Sequence, residues 1–221
     1  MVARLQYDEA AARLWSERGM FDAGRHDWMP TDGPATGSRV DLASASDAVE
    51  RIGRHGRLLP VGVIGGRDAS EDQCRIAFDM GRALAGAGFP VMTGGKGGIM
   101  QAACEGAATA GGLTIGILPD NEWTGANPFV TVPIATGLGS ARNAIIARAC
   151  FALVAVGGEY GTQTEMAFGM HFGRLVLAFG PGPAVAGVVA VRDTDDAIER
   201  IACRYLSLDD GGIDASDDGV R

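Results

Sequence analysis

The chain has 221 residues, enough for one α/β domain with an appendage and a sizeable buried core. A formal charge of −8 argues against a nucleic-acid backbone as main partner, and four scattered cysteines without a C-x-x-C pair argue against a disulfide framework and for a reducing compartment. The three histidines show no H-x-x-x-H spacing, no apolar run is long enough to span a membrane and no signal-peptide core is present, so the sequence predicts a soluble, cytoplasmic protein without a metal site.

Residues 1–57 read as an N-terminal extension packing on the core that follows. Within it, residues 8–18 read as a helix, 21–39 as irregular chain with Gly, Pro, Asp and two aromatics, and 44–54 as a second helix with Ser46 or Asp47 near its cap. Trp15, Phe21 and Trp28 are expected to pin the extension to the domain or to a partner subunit. From residue 58 the rhythm becomes regular. A strand at 58–65 is followed by helix 70–87, strand 89–93, helix 98–110, strand 113–118 and a loop to Pro128. Strand 129–135, helix 140–149, strand 151–156, helix 162–172, strand 174–179, a short strand 187–191 and helix 194–206 complete the pattern. Strands alternating with amphipathic helices over residues 58–207 predict a doubly wound, mostly parallel sheet with helices on both faces. Residues 208–221 carry five aspartates and three glycines and read as an acidic, disordered tail.

The 34 glycines are about twice average usage and concentrate at junctions. Three apolar strands run into glycine turns where a helix begins: at Gly65 and Gly66, at Gly94, Gly95, Lys96, Gly97 and Gly98, and at Gly157, Gly158, Gly161 and Thr162. Glycine lets the backbone approach a ligand closely, and a helix N-terminus at the carboxyl edge of a parallel sheet presents N–H groups to an anion. These turns therefore predict a site for a phosphorylated small molecule or nucleotide, with Lys96 as a mobile positive charge; taken singly, each also fits a ligand-free βα junction.

Glu165 follows Thr162 by one helical turn and is the leading candidate for chemistry. Thr162 to Glu165 also fits a capping box, a local role compatible with catalysis. Arg142 falls in the first turn of the 140–149 helix, where a cation is unfavourable without an anion beside it. That anion is a ligand phosphate, a carboxylate, or simply a surface ion-pair partner. Asn143 is placed to hydrogen-bond a base or ribose. The loop around Trp123 reads equally as a lid or a plain connection, His171 as structural, and Met166, Phe168, Met170 and Phe172 as core or dimer contacts.

The segments Val61-Gly-Val-Ile-Gly-Gly66, Thr93-Gly-Gly-Lys-Gly-Gly-Ile-Met100, Thr136-Gly-Leu-Gly-Ser-Ala-Arg-Asn143 and Gly157-Gly-Glu-Tyr-Gly-Thr-Gln-Thr-Glu165 resemble the Rossmann-like superfamily called lysine decarboxylase-like. It includes the Lonely Guy (LOG) phosphoribohydrolases, and the chain is most similar to the branch that holds molybdenum cofactor carrier proteins. The resemblance covers residues 58–180. In LOG enzymes a P-G-G-x-G-T-x-x-E turn binds the 5′-phosphate of a nucleoside monophosphate, and its glutamate works with an arginine from R-K-x-x-M. By motif position, Glu165 and Arg142 carry those roles here. Three departures stand out: Gly157 for proline, Glu159 for the second glycine, and Asn143 for the lysine.

Two functions follow from the resemblance. The first is cleavage of the N-glycosidic bond of a nucleoside 5′-monophosphate, with Glu165 stabilising an oxocarbenium-like transition state; Glu165→Ala is then expected to abolish turnover and leave folding intact. The second is non-catalytic binding or carriage of a phosphorylated ligand such as molybdenum cofactor, which Glu159 favours. The presence of both catalytic-position residues puts the hydrolase narrowly first. No cofactor is required on either reading, although a nucleotide or molybdenum cofactor is expected to bind, and the superfamily implies a homodimer or higher homo-oligomer.

Overall fold

The structure, a computed structural model, describes residues 4–31, 39–53, 59–180 and 185–208. The chain divides into two units, one of Met1–Arg57 with Glu199–Arg221 and one of Leu58–Ile198. The acidic tail read from the sequence lies, from residue 209 onward, outside the described residues.

The first unit overturns two expectations. Where a helix was expected at 8–18, the chain forms a hairpin of β1 (Gln6–Asp8) and β2 (Arg13–Ser16), turning through Ala12 at a positive φ of 52°. The stretch read as irregular contains β3 (Gly19–Asp22) and β4 (Asp27–Met29). With β5 (Arg39–Asp41) these make a sheet in the order β4-β3-β2-β1-β5, antiparallel wherever the pairing is registered. The alanine-rich stretch favours a helix locally, but burial of Leu5, Tyr7 and Leu14 on the sheet outweighs that propensity. Phe21 packs edge-on against Trp28 at 5.2 Å and lies 6.0 Å from Tyr205, while the Trp28 indole donates to the Leu206 carbonyl at 2.6 Å. Trp15 instead stacks under the Arg39 guanidinium, 4.2 Å away.

The expected second helix is present as α1 (Ala45–Ile52), and its N-cap is Ser44. The Glu199 carboxylate also accepts from Ala45 N, Ser46 N and Ser46 Oγ at 2.9–3.0 Å. A carboxylate at this end complements both the unpaired N–H groups and the helix dipole.

The second unit carries the alternating pattern. It runs β6 (Val61–Gly65), α2 (Glu71–Gly86), β7 (Val91–Thr93), α3 (Ile99–Thr109), β8 (Thr114–Leu118), β9 (Val132–Ala135), α4 (Asn143–Ala149), β10 (Ala152–Val156), α5 (Tyr160–His171), β11 (Leu175–Phe179) and β12 (Val189–Val191). The helix α6 (Thr194–Tyr205) follows. Ser70 and Gln73 close a capping box at the start of α2. The seven strands are ordered β12-β11-β10-β6-β7-β8-β9 and every pair is parallel. Every residue of β10 and the first four of β6 are buried, as a sheet covered on both faces requires. The connections run outward from β6 through β7, β8 and β9 and then outward the other way from β10 through β11 and β12. Because such crossovers are right-handed as a rule, this winding places helices on both faces. This is a Rossmann-like, doubly wound α/β fold.

The order in which the strands are added reverses between β6 and β10, so the carboxyl ends of those two parallel central strands frame the crevice where such sheets hold ligands. Behind it, α2 and α3 meet at unusually short range. Gly81 lies against the Ala103 backbone and Gly106 against the Phe78 backbone, leaving no room for a Cβ at either position. No helix among the described residues is long and apolar enough to cross a membrane.

Candidate functional site

At the β6/β10 reversal the structure opens a cavity of about 280 Å³. Of the residues the sequence singled out, Gly65, Gly66, Gly94, Arg142, Asn143, Gly161, Thr162 and Glu165 line it. Gly95, Lys96, Gly97, Gly98, Gly157 and Gly158 do not, although they belong to the same turns. Glu159, whose charge the sequence pattern sets beside the ligand turn, also lines it, as do Arg67 and Asp68, which were not among the residues expected there. Arg67 had one readable signal: it directly follows the Gly65–Gly66 strand end at the carboxyl edge.

The two candidates for chemistry meet. Arg142 Nη1 donates to Glu165 Oε1 at 3.1 Å and to Asn143 Oδ1 at 2.6 Å. Arg142 and Glu165 are 9% and 6% exposed, which excludes a surface ion pair. Room for the guanidinium comes from Gly94, since a Cβ there would strike Arg142 Nη2. Arg142 itself ends a 3-10 turn (Gly139–Arg142) and forms the N-cap of α4. The Asn143 amide does not face the cavity free: it donates to Gly161 O and Thr164 Oγ1, both at 3.3 Å, tying α4 to the start of α5.

The capping box read at Thr162 to Glu165 does not form. The helix begins two residues earlier, at Tyr160 with Glu159 as N-cap, so Thr162 is already inside its first turn and Glu165 lies in the second. Glu159 makes no side-chain capping bond, so among the described residues the N-terminal N–H groups of α5 have no side-chain cap. Gly157 and Gly158 precede it with φ of 57° and 102°, which turns the chain from β10 into α5.

Lys96 points elsewhere. Its ammonium pairs with Asp120 and donates to the Gly125 carbonyl at 2.9 Å, while its own carbonyl accepts from Asn127 Nδ2 at 3.0 Å. The lysine thus braces the 119–127 loop, which includes a 3-10 turn at Trp123–Gly125 and a Trp123 side chain 62% exposed. His171 lies exposed at the C-terminal end of α5 with its ring 5.3 Å from Phe172, and Met166 is part of the core. Among the described residues no group of His, Cys, Asp and Glu side chains could hold a metal ion.

Burial sets the electrostatics. It raises the Glu165 carboxyl from 4.5 to about 7, against the lowering effect of Arg142, and it pulls the Arg142 guanidinium down against the effect of Glu165. A carboxyl poised near 7 in a cleft is competent for proton transfer and equally for a switchable ion pair. The native protein then binds more protons than the unfolded chain between about pH 4.5 and 7, so the contribution of neutral Glu165 to stability is full below that window and is lost as pH rises through it. Thermal melts should show wild type losing stability relative to Glu165→Gln from about pH 5 to about pH 7.5. A constant difference across that range would remove the raised pKa.

Residues 58–202 match the SLOG cluster4 family. A protein of Archaeoglobus fulgidus is 37% identical over 142 residues, which covers 64% of this chain and 93% of that protein. Among solved structures, the molybdenum cofactor binding protein of Rippkaea orientalis matches with a TM-score of 0.63 and 30% identity, over 66% of this chain and 96% of that one. The molybdenum cofactor carrier protein of Chlamydomonas reinhardtii matches at 0.62 with 34% identity, over 68% and 99% of the respective chains.

Proposed function

The chain belongs to the SLOG cluster4 family, and from that premise we propose that it binds and carries a small phosphorylated ligand of the molybdenum cofactor kind. What carries the reading is a cavity at the sheet reversal lined by two guanidiniums and by the uncapped start of α5, in a fold shared with proteins that bind or carry that cofactor. A phosphate monoester suits those groups: arginine offers a planar fork of donors, and a helix start offers aligned N–H groups. Carriage needs affinity without turnover. Glu165 fits that need: its contact with Arg142 holds it in the wall of the cavity, and its burial favours its neutral form. Cytoplasmic location and self-association belong to the same proposal, the latter supported by exposed Trp123, Leu138 and Tyr160.

Glu165 also supports a second reading. A carboxyl near pH 7 that lines the cavity beside an arginine is the arrangement a nucleoside 5′-monophosphate phosphoribohydrolase needs. One paired assay separates the two. Protein incubated anaerobically with molybdenum cofactor is passed through a sizing column, and the retained pterin is oxidised and read by fluorescence. Parallel samples with AMP, GMP, CMP, UMP and IMP are analysed by HPLC. The carrier reading expects pterin to elute with the protein and every nucleotide to survive. Release of free base by wild type but not by Glu165→Gln, with no pterin retained, would replace it with the hydrolase.

A further inference from the structure

We propose that Arg67 is the residue that grips the ligand's anionic group, a phosphate monoester, holding it between its own guanidinium and the N-terminal turn of α5, in the role the sequence pattern would give to Lys96. The inference rests on the phosphorylated-ligand reading above and adds to it the residue that selects for the phosphate.

Arg67 follows the glycine pair at the end of β6 and lines the cavity, close enough to Arg142 for their charges to interact. Among the described residues it makes no ion pair or side-chain hydrogen bond, and it is exposed to solvent. The loop beneath it is fixed: Ile99 N donates to Gly66 O at 3.1 Å, and a Cβ on Gly98 would strike the Gly66 and Arg67 carbonyls. A rigid backbone therefore presents a free, five-donor cation to the cavity.

The groups around it keep donors to spare. Arg142 is 9% exposed, has Nη1 committed to Glu165 and Asn143, and keeps a buried Nε without a partner. Burial is the main cause of its lowered pKa, and the charge of Arg67 adds to that effect, as expected of two guanidiniums facing one space. The first turn of α5 contributes Gly161 and Thr162 to the same lining and has no side-chain cap. The start of α2 offers no rival seat, because Ser70 and Gln73 close it and Glu71 and Asp72 fill its first turn. Lys96 is held by Asp120 and Gly125. Two carboxylates, Asp68 and Glu159, also line the cavity, so Arg142 alone, already paired with Glu165, leaves an incoming dianion with net repulsion. Arg67 offsets one of those negative charges and brings its own donors to the anion.

The test is equilibrium titration of wild type, Arg67→Ala and Arg67→Lys with a fluorescent pterin phosphate monoester and with its dephosphorylated counterpart. Arg67→Ala is expected to weaken the phosphorylated probe by about tenfold or more, the loss of a charge-assisted contact. Arg67→Lys should recover part of that loss, and neither variant should alter affinity for the dephosphorylated probe. Equal affinity of wild type and Arg67→Ala for the phosphorylated probe would overturn the assignment and leave the carrier reading standing. A wild type that binds the phosphorylated probe no tighter than the dephosphorylated one would overturn both. Arg67 is exposed on a loop, so the variants should melt with wild type, and a melt of each confirms that affinity and not folding is being read.

Discussion

Glu165→Ala should destabilise the protein by about 3–5 kcal/mol above pH 7, where Glu165 is ionised, one of the two largest effects expected of a single substitution here. The reason is the partner left behind. Arg142 is 9% exposed and shares its Nη1 between Glu165 and Asn143, so deleting the carboxylate leaves a positive charge in a poorly solvated pocket with one neutral acceptor. Denaturant unfolding of the variant measures it, and a midpoint equal to that of wild type would refute it. Glu165→Gln keeps the shape and an acceptor for Arg142, and should lose distinctly less. A double replacement, Glu165→Leu with Arg142→Met, removes both charges and should be more stable than Glu165→Ala, because no charge remains stranded. This expected loss differs from the sequence expectation that alanine at 165 leaves folding intact, and it makes glutamine the substitution to use when testing chemistry.

The second large effect is expected where α2 crosses α3. Gly106→Ala should cost about 1–3 kcal/mol or more, since its new methyl would meet the Phe78 carbonyl and only a shift of a whole helix can relieve that contact. Gly81→Ala should behave alike against the Ala103 carbonyl. The two together should cost less than their sum, because helices already pushed apart by one methyl admit the other more easily. Gly86 provides the contrast. It ends the same helix with open space around its Cβ position, so Gly86→Ala should be neutral or stabilising by up to about 1 kcal/mol. Thermal unfolding of the four variants checks the set; a Gly106→Ala protein as stable as wild type would mean that the helices slide freely.

Legibility in the sequence followed the range of the interactions. The second unit could be read because each βα step is local: a short apolar run, glycines, then a helical period. Helix ends moved by only a few residues, although two of those residues at α5 were enough to remove the capping box expected at Thr162. The meeting of Arg142 and Glu165 was anticipated as two separate positions, each near a helix start. Their direct contact depends on Gly94, a position with no visible link to either. Lys96 looked mobile because it sits among glycines, and its partners Asp120 and Gly125 lie too far along the chain for any local pattern to show them. The first unit was illegible for the same cause in stronger form. Residues 9–12 favour a helix, yet they form a hairpin turn because β1 pairs with β5 as well as β2. Strands of three or four residues are too short to impose an alternation that could be read.

The bonds that join α1 and Trp28 to the far end of the chain have a consequence for how the protein is made. The carboxylate that caps α1 at Ala45 belongs to a residue 154 positions later, and the carbonyl that receives the Trp28 indole lies 178 positions on. At a synthesis rate of about 5–20 residues per second, the ribosome takes about 8–30 s to reach Glu199 after adding Ala45. During that interval the β6–β12 region is synthesised and its earlier strands and helices can begin to fold, while the hairpins made first still lack Tyr205, Leu206 and Glu199. The part of the protein that is translated first is therefore completed last, and its unfinished sheet is the nascent chain's exposed surface while it waits.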